Sequence, residues 1–583
     1  MIAAAIGICH ALPVHNADIA DQFNRLADLL EIEEANRFRV RAYRRAAQTI
    51  QEAPDSAAAM VAQGRDLTEL PGIGEDLAGK ITEIVKTGHC RMLEEVEART
   101  PSTLAALTSI AGLGPKRVQA LHDKLGVRNL DDLAKALKAG RVGGLPRFGK
   151  AFEAKLIAEL GRRQDTVQRV KISTAEDFAF GLIVYLRKFP GLLEEVVAGS
   201  FRRRKDTVGD LDILAICADG PGAVEHFVKY EEVERITARG PTRAAVILKC
   251  GLQVDLRVVP SESYGAALHY FTGSKAHNIA IRRRGQTRGL KINEYGVFRG
   301  AKRIGGRTES EVFEAVGLPF IPPELREDRG EIEAAAEGRL PHLVILSQVK
   351  GDLHVHTRAS DGKSTLAEMA QAAKALGYAY VAIADHSRHA TVAHGLDPRR
   401  LAAELDEIDQ LNETWSDFRV LKSCEVDILA DGKLDLPASI LKRLDVTVCA
   451  VHYQFELSAE AQTERILRAM DNRCFHILAH PSGRLIGERP AYAVDLDRVL
   501  EGAKARGCFV EVNAHPSRLD LDDVHCRAAK ALGLKVSIAT DAHSTMGLGA
   551  MRHGVDQARR GWLEADDVLN TRAWPELKAL LAR

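Results

Sequence analysis

The 583-residue sequence has the composition of a soluble globular protein, with 46% hydrophobic and 27% charged residues. Its formal net charge is zero, which excludes a polycationic protein, so any affinity for nucleic acid must come from local basic patches. No apolar run approaches the roughly 18 residues of a membrane span, and the length predicts about three to five domains. The nine cysteines include no CxxC pair, which favours reduced thiols in a cytoplasm.

The N-terminal part of the chain is predicted to be helical. Residues 1–14 form a short extension, because they lack the basic residues that begin a secretory signal. From there to residue 170, apolar residues recur at helical spacing. We place one helical domain at 15–95 and a second at 96–170.

Each of these domains contains a glycine-rich turn followed by an amphipathic stretch. The turns begin LPGIGEDLAGK at residue 70 and IAGLGPKRVQ at residue 110, and a weaker copy lies at 144–160. Glycines allow the backbone to approach a phosphate, which the N–H groups of the next helix can then bind. We therefore predict helix-hairpin-helix motifs that bind DNA, with a protein-interaction module as the alternative. The predicted DNA-contacting glycines are Gly72, Gly74, Gly112 and Gly114.

Residues 171–320 alternate helices with β-rich runs, and one of these runs carries two aspartates. In GSFRRRKDTVGDLDI, at 199–213, Asp210 and Asp212 point to the same face of a strand and can hold a divalent cation. Asp255 lies among apolar residues in LQVDLRVV, where an unpaired charge would be costly to bury. Three carboxylates can hold two metal ions for phosphoryl or nucleotidyl transfer. A solvated charge run beside a structural strand is the weaker alternative.

This region resembles the family X DNA polymerases, the DNA polymerase beta group, through GSFRRRKDTVGDLD, QVDLR, YFTGSKAHN and INEYG. The resemblance implies a nucleotidyltransferase palm and thumb at 171–320, with the preceding helical domains lyase-like and fingers-like. It implies two Mg or Mn ions held by Asp210 and Asp212, with Asp255 on the ion that activates the primer hydroxyl. It also implies a nucleotide site formed by Gly199, Ser200 and Arg203 at the triphosphate, Tyr270, Phe271 and Gly273 at the sugar, and Asn278 and Arg282 near the base.

Some positions depart from the family pattern. Arg204 stands where many relatives carry glycine, which adds bulk beside the phosphate site, and Gln253 replaces an arginine beside the third aspartate. Lys80 matches the Schiff-base lysine of the lyase domain, which would attack the aldehyde of an abasic site. Asp76 lies where a relative has a second lysine, which weakens the phosphate pocket.

Residues 350–583, after a predicted linker at 321–349, contain β-rich runs that alternate with helical segments, which indicates an α/β barrel. Histidines and acids follow these runs in GDLHVHTRASDG, YVAIADHS, SCEVDI, CAVHY, ILAHP and IATDAHS. Strand ends of an α/β barrel converge on one face, where imidazoles and carboxylates can bind Zn, Mn or Fe.

This last region resembles the polymerase-and-histidinol-phosphatase (PHP) domains, which form a distorted (β/α)7 barrel. The resemblance implies up to three Mn or Zn ions. Their ligands would be His354, His356, Glu425 and Asp541 for one ion, Glu425, His452 and His480 for a second, and Asp361, His386 and His543 for the third. His394 and His515 are unexpected residues outside these sets.

Together these features predict a multidomain α+β and α/β protein, a bacterial family X repair polymerase fused to a PHP nuclease. The resemblance implies gap filling in base excision repair and manganese-dependent 3′–5′ exonuclease activity, with abasic-site lyase or endonuclease activity as an addition. The expected partners are gapped or primed duplex DNA and dNTPs, bound by a cytoplasmic, nucleoid-associated monomer. Two alternatives stay open: a small-molecule phosphoesterase tethered to DNA, and a non-catalytic DNA-end scaffold.

Overall fold

The computed structural model separates the chain into two compact units, residues 1–167 and 168–583. No helix among the described residues combines the length and the apolar character needed to cross a membrane. The residues described are 16–33, 35–52, 57–62, 64–70, 72–97, 100, 104, 107, 113, 115–145, 148–150, 152–154, 156–157 and 169–582.

The first unit is helical in the described residues, as the sequence predicts. In its first helix Ile19, Phe23, Leu26 and Leu30 recur every third or fourth residue and are all buried in one core. The helices are α1 Asn16–Ile32, α2 Arg37–Glu52, α3 Ala57–Ala62, α4 Glu75–Thr87, α5 Arg91–Glu97, α6 Pro115–Leu125 and α7 Leu130–Lys138.

The second unit begins with a five-stranded sheet in the order β2-β4-β7-β6-β5, in which only β4 and β7 run parallel. Leu211 and Ile213 of β4, with Val254 and Leu256 of β7, face a core shared with α8 and α10. The alternate positions carry the aspartates to the other face. These elements are β1 Val170–Lys171, α8 Ile172–Leu186, β2 Leu192–Val197, α9 Gly199–Arg202, β3 Thr207–Val208, β4 Asp210–Cys217, α10 Gly220–Phe227, β5 Val233–Arg239, β6 Arg243–Leu248 and β7 Gln253–Val258.

The next segment combines helices with a three-stranded antiparallel sheet, β10-β9-β8. Its core includes Val312 and Phe313, and Ile332 of the predicted linker packs into the same core. The buried Arg326 donates a hydrogen bond of 2.7 Å to Glu309. The elements are α11 Tyr264–Thr272, α12 Lys275–Gln286, β8 Lys291–Asn293, β9 Gly296–Arg299, β10 Lys302–Gly305, α13 Glu309–Ala315 and α14 Glu331–Ala336.

The C-terminal segment alternates parallel strands with helices. A three-stranded sheet β11-β12-β13 and a five-stranded sheet β14 to β18 meet through parallel bridges, His386↔Glu425 and Val355↔Ala542. The strands are β11 Gly351–Val355, β12 Tyr380–Ile383, β13 Arg419–Lys422, β14 Glu425–Asp427, β15 Val448–Ala450, β16 Ile477–Leu478, β17 Phe509–Asn513 and β18 Val536–Ala539. The helices are α15 Leu366–Ala375, α16 Pro398–Glu413, α17 Ala438–Leu441, α18 Ala459–Met470, α19 Leu496–Arg506, α20 Asp523–Ala531, α21 Met551–Arg560 and α22 Trp574–Leu581.

Candidate active sites

The three aspartates of the first candidate site lie on neighbouring strands. The parallel pairing of β4 with β7 places Asp212 directly opposite Asp255, and Asp210 opposite Gln253. The side chain of Gln253 donates a hydrogen bond of 2.7 Å to Asp255 Oδ2. Gln253 therefore orients the third aspartate without taking the place of any carboxylate.

Burial and charge crowding perturb the carboxyl groups of Asp212 and Asp210. Burial, with the nearby charges of Asp210 and Asp255, raises the pKa of Asp212 from 3.8 to about 7. Burial and the charge of Asp255 also raise the pKa of Asp210. Buried carboxyl groups whose pKa is raised by neighbouring like charges favour a bound cation, which would relieve the repulsion.

A cavity of about 440 Å³ opens beside these aspartates. Ser200 Oγ is buried there without a hydrogen-bond partner, although a buried hydroxyl normally has one. Asp212 Oδ2 would lie 2.5 Å from a Cβ at Gly199, whose φ is +61°, so this position requires glycine. The predicted nucleotide-site residues all line the cavity: Gly199, Ser200, Arg203, Tyr270, Phe271, Gly273, Asn278 and Arg282.

Two further cations, Arg169 and Lys275, line the same cavity and were not predicted from the sequence. Lys275 lies inside the YFTGSKAHN motif, and this position could have identified it from the sequence as a cavity residue. Arg169 precedes β1 and gives no local signal. The side chain of Asn278 donates a hydrogen bond of 2.7 Å to the Tyr270 carbonyl, and this contact holds the cavity wall together.

Arg204 is not among the residues that the structure places around this cavity. Its backbone is left-handed, with φ 57°, a conformation that glycine adopts without strain. Its guanidinium contacts Glu176 at 2.9 Å and Asp556 at 3.5 Å. The extra bulk is therefore directed away from the triphosphate position.

The first glycine-rich turn has the expected local form. Gly72 has φ 77°, and Gly74 lies immediately before α4. Lys80 on α4 forms an ion pair with Asp76 one helical turn earlier. Gly112 and Gly114, predicted for the second turn, lie outside the described residues.

The second candidate site centres on Glu425, the first residue of β14. Glu425 Oε2 lies 3.4 Å from His354 Nε2, 3.5 Å from His356 Nε2 and 2.9 Å from His386 Nδ1. Its other oxygen, Oε1, lies 3.1 Å from His452 Nε2 and 2.9 Å from His480 Nε2. Glu425 thus presents its two oxygens to separate groups of histidines, the geometry of a bridging carboxylate.

The remaining predicted ligands surround this pair of groups. Asp541 Oδ1 lies 3.2 Å from His356 Nε2, and Asp361 Oδ1 lies 3.4 Å from His543 Nε2. Nitrogen and oxygen atoms that could share one ion occur in three overlapping groups. These groups are His354, His356 and Asp541; His356, Asp361, His386 and His543; and His386, Glu425 and His452. His386 therefore lies close enough to serve two ions, whereas the sequence assigned it to one.

Opposing effects set the protonation of this cluster. Burial and the neighbouring His543 and His386 lower the pKa of His356 to about 4. Burial opposes protonation of His452, but Glu425 and Asp427 outweigh it and raise the pKa of His452 to about 9. Without an ion, these buried acids are compensated by protonated imidazoles, and a bound cation would replace those protons.

The donor set fits divalent metal ions. His356 Nδ1 is buried, has no hydrogen-bond partner and lies 3.9 Å from Asp361 Oδ1. Such an unsatisfied imidazole nitrogen among carboxylates is the donor chemistry that Zn and Mn prefer. Asp541 and His480 also have positive φ, 54° and 26°, a strained backbone of the kind that concentrates at functional sites.

Two acids that support this cluster were missed in the sequence. Glu511 of β17 lies 2.7 Å from His354 Nδ1 and accepts a 2.7 Å hydrogen bond from the backbone N–H of His480. Asp427 lies 3.0 Å from His452 Nδ1. Both acids alternate with apolar residues in buried strands, and this alternation could have identified them from the sequence.

A cavity of about 630 Å³ adjoins the metal-ligand cluster. Asp541 and His543 line it together with Lys363, His515 and Arg552. His515 is therefore close to the cluster without belonging to any of its metal-ligand groups among the described residues. His394 is exposed and is likewise outside these groups.

Four protein families match separate parts of this sequence. A helix-hairpin-helix domain matches residues 14–90, and a SAM-like helix-hairpin-helix tandem matches 104–162. The DNA polymerase beta thumb matches 267–327, and the PHP domain matches 352–515. These matches confirm a helical helix-hairpin-helix N-terminal region, a polymerase-beta-type thumb and a C-terminal PHP domain, while the predicted domain boundaries stay predictions.

Known proteins match either one part of this chain or nearly all of it. A "probable phosphatase" of Thermoanaerobacter sp. (strain X514) is 30% identical over 231 residues, which are 38% of this chain and 89% of the relative. DNA polymerase lambda of Rattus norvegicus is 28% identical over 299 residues, 46% of this chain and 49% of the relative. The "DNA polymerase/3′-5′ exonuclease PolX" of Bacillus subtilis (strain 168) is 37% identical over 575 residues, 98% of this chain and the whole relative. This chain therefore belongs to the family of PolX, the family X DNA polymerases that carry a C-terminal PHP domain.

Proposed function

We propose that this protein is a DNA-directed DNA polymerase that fills short gaps during base excision repair and trims 3′ ends with its PHP domain. The similarity to a DNA polymerase/3′-5′ exonuclease over nearly the whole chain supports both activities. The observation that carries the proposal is the presence of two separate acidic centres in one chain, one beside a nucleotide-sized cavity and one at the strand ends of the PHP domain.

In the polymerase half, Asp210, Asp212 and Asp255 would hold two Mg or Mn ions. Bound there, the ions would supply charge neutralisation for the reacting phosphate and its leaving group. The unpartnered Ser200 hydroxyl can donate a hydrogen bond to a phosphate oxygen, and Arg203 adds positive charge to the same cavity. Tyr270 and Phe271, whose rings meet edge to face at 5.1 Å, form an apolar wall suited to a sugar.

In the PHP half, the overlapping histidine and carboxylate groups would hold up to three Mn or Zn ions. Ions bound there would supply Lewis acidity toward a phosphodiester. Lys363 and Arg552, which line the adjoining cavity, can attract the phosphates of a DNA strand. The glycine-rich turn before α4 would contact the backbone of gapped duplex DNA. We also propose that the protein acts on the chromosome in the cytoplasm.

A primer–template assay with Mg and Mn, run with and without dNTPs, tests both activities in one experiment. The wild-type protein should extend the primer with dNTPs and shorten it in Mn without them. Asp210→Ala with Asp212→Ala should abolish extension and leave shortening, because its ligands are separate from those of the PHP cluster. A phosphoesterase tethered to DNA, or a scaffold, would show no extension in either protein.

A further inference from the structure

Arg203 connects the polymerase cavity to the PHP domain. Arg203, which lines the cavity, contacts Glu327 through Nε at 3.0 Å and the Thr272 carbonyl through Nη1 at 2.6 Å. Glu327 in turn lies 3.2 Å from Arg560 Nη1, on the last residue of α21 in the PHP domain. The same nitrogen of Arg560 donates a 2.7 Å hydrogen bond to the Arg203 backbone carbonyl.

These side chains are largely buried, so their contacts can fix the orientation of Arg203 as well as balance its charge. The side chains of Arg203 and Glu327 are each 12% exposed, and that of Arg560 is 2% exposed. Asp523 of the PHP domain anchors the other end of Arg560 at 2.5 Å. Burial raises the pKa of Glu327, but the two arginines outweigh this effect and lower it, so the carboxylate is charged between them.

We infer that Arg560 is a positioning residue for nucleotide binding, which holds Arg203 in place through Glu327 and through the Arg203 carbonyl. The inference rests on the proposed polymerase function. Two of the Arg203 nitrogens are engaged by protein, so the contacts that fix them decide where the remaining nitrogen of the guanidinium points. Without Arg560, Arg203 loses a backbone anchor. Glu327 loses one of its two arginine partners and therefore competes more strongly with phosphate for Arg203.

The chain provides a matched control on the neighbouring residue. Arg559 also joins α21 to an earlier segment, with a 2.8 Å contact to Glu324 and a 3.1 Å hydrogen bond to the Val344 carbonyl. None of these partners lines the polymerase cavity that the structure describes. R559M therefore removes a similar interdomain contact without disturbing Arg203.

The test measures single-nucleotide gap filling and 3′-end degradation by full-length wild type, R560M and R559M. Because a charged hydrogen bond in a buried network is removed, R560M should raise KM for dNTP by about tenfold and leave kcat within about twofold. Degradation in Mn should be unchanged, and R559M should keep a wild-type KM. A KM for R560M that matches R559M overturns the inference.

A double-mutant cycle with R203A separates positioning from general destabilisation. If Arg560 acts through Arg203, R560M should raise KM no further once R203A is present. Multiplicative effects on KM would overturn the inference. If R560M does not fold, R560K decides the question: lysine keeps the charge but offers one donor group, so KM should rise by about threefold, and an unchanged KM overturns the inference.

The same assays distinguish this inference from the proposed function. No nucleotide addition by the wild-type protein would refute the polymerase assignment itself. Normal addition by wild type, with equal KM values in R560M and R559M, would leave the polymerase assignment intact and refute only the role of Arg560.

Discussion

Replacing Asp212 with asparagine should make the metal-free protein more stable. Burial and the charges of Asp210 and Asp255 raise the pKa of Asp212 from 3.8 to about 7. At about 1.4 kcal/mol per pH unit, this difference corresponds to a penalty of about 4 kcal/mol on the native state above pH 7. Asparagine keeps the size of the side chain and removes its charge, and relaxation around Asp212 reduces the expected gain to about 2 kcal/mol.

The gain should depend on pH in a defined direction. Between pH 3.8 and about 7 the native state holds a proton on Asp212 that the unfolded chain has released, so native stability falls as pH rises through this window. D212N should therefore unfold at a higher temperature than wild type at pH 8, by about 2 °C for a gain of about 2 kcal/mol in a unit that spans residues 168–583. The difference should vanish near pH 4.

Thermal unfolding in EDTA at pH 8, 6 and 4.5 measures this effect, with D177N at an exposed position of α8 as the control. Excess Mg²⁺ should stabilise wild type more than D212N, because the variant lacks a ligand at β4 while both proteins keep the PHP cluster. A D212N protein no more stable than wild type at pH 8, or a gain that does not change with pH, would show that charge crowding at β4 is not what destabilises the site.

The other predictions concern the PHP cluster and DNA binding. E425Q should lower degradation of a labelled 3′ end in Mn by more than about 100-fold and reduce bound metal, because Glu425 contacts both histidine groups, while primer extension persists. Near-normal degradation with full metal content would contradict the bridging role. E511Q should lower degradation by about 10–100-fold, because Glu511 orients His354, and an unchanged rate would show that this contact is not needed. Affinity for gapped DNA should fall by at least about tenfold between 50 and 200 mM salt, because even two contacts to DNA phosphates give a salt dependence of this size. An affinity that does not change with salt would exclude phosphate-dominated binding.

The periodicity of strands made the positions of the acidic residues predictable. Asp210 and Asp212 share one face because strand residues alternate, and the apolar neighbours of Asp255 indicated a buried strand before any partner was known. The histidines after β15 and β16 followed from the general convergence of strand ends in α/β folds. The structure brings these residues together, while their individual roles as ligands stay predictions.

Contacts between distant segments could not be read from local patterns. Arg204 was interpreted as bulk beside the phosphate site, yet its left-handed backbone and its contacts with Glu176 and Asp556 direct it elsewhere. Glu511 supports His354 across 157 residues of sequence, and nothing near Glu511 indicates that partner. Arg560 is similarly remote from Arg203, so only the tertiary structure connects the two halves.

The register of β4 against β7 makes the polymerase site a reporter of correct folding. Asp212 and Asp255 meet only when Leu211 and Val254, and then Ile213 and Leu256, are paired. A slip by one residue would turn Asp255 into the apolar core and bring Val254 or Leu256 to Asp212. Metal binding cannot precede this pairing, so recovery of nucleotide addition during refolding should follow strand assembly, and a divalent cation should select the correctly paired sheet over its slipped alternatives.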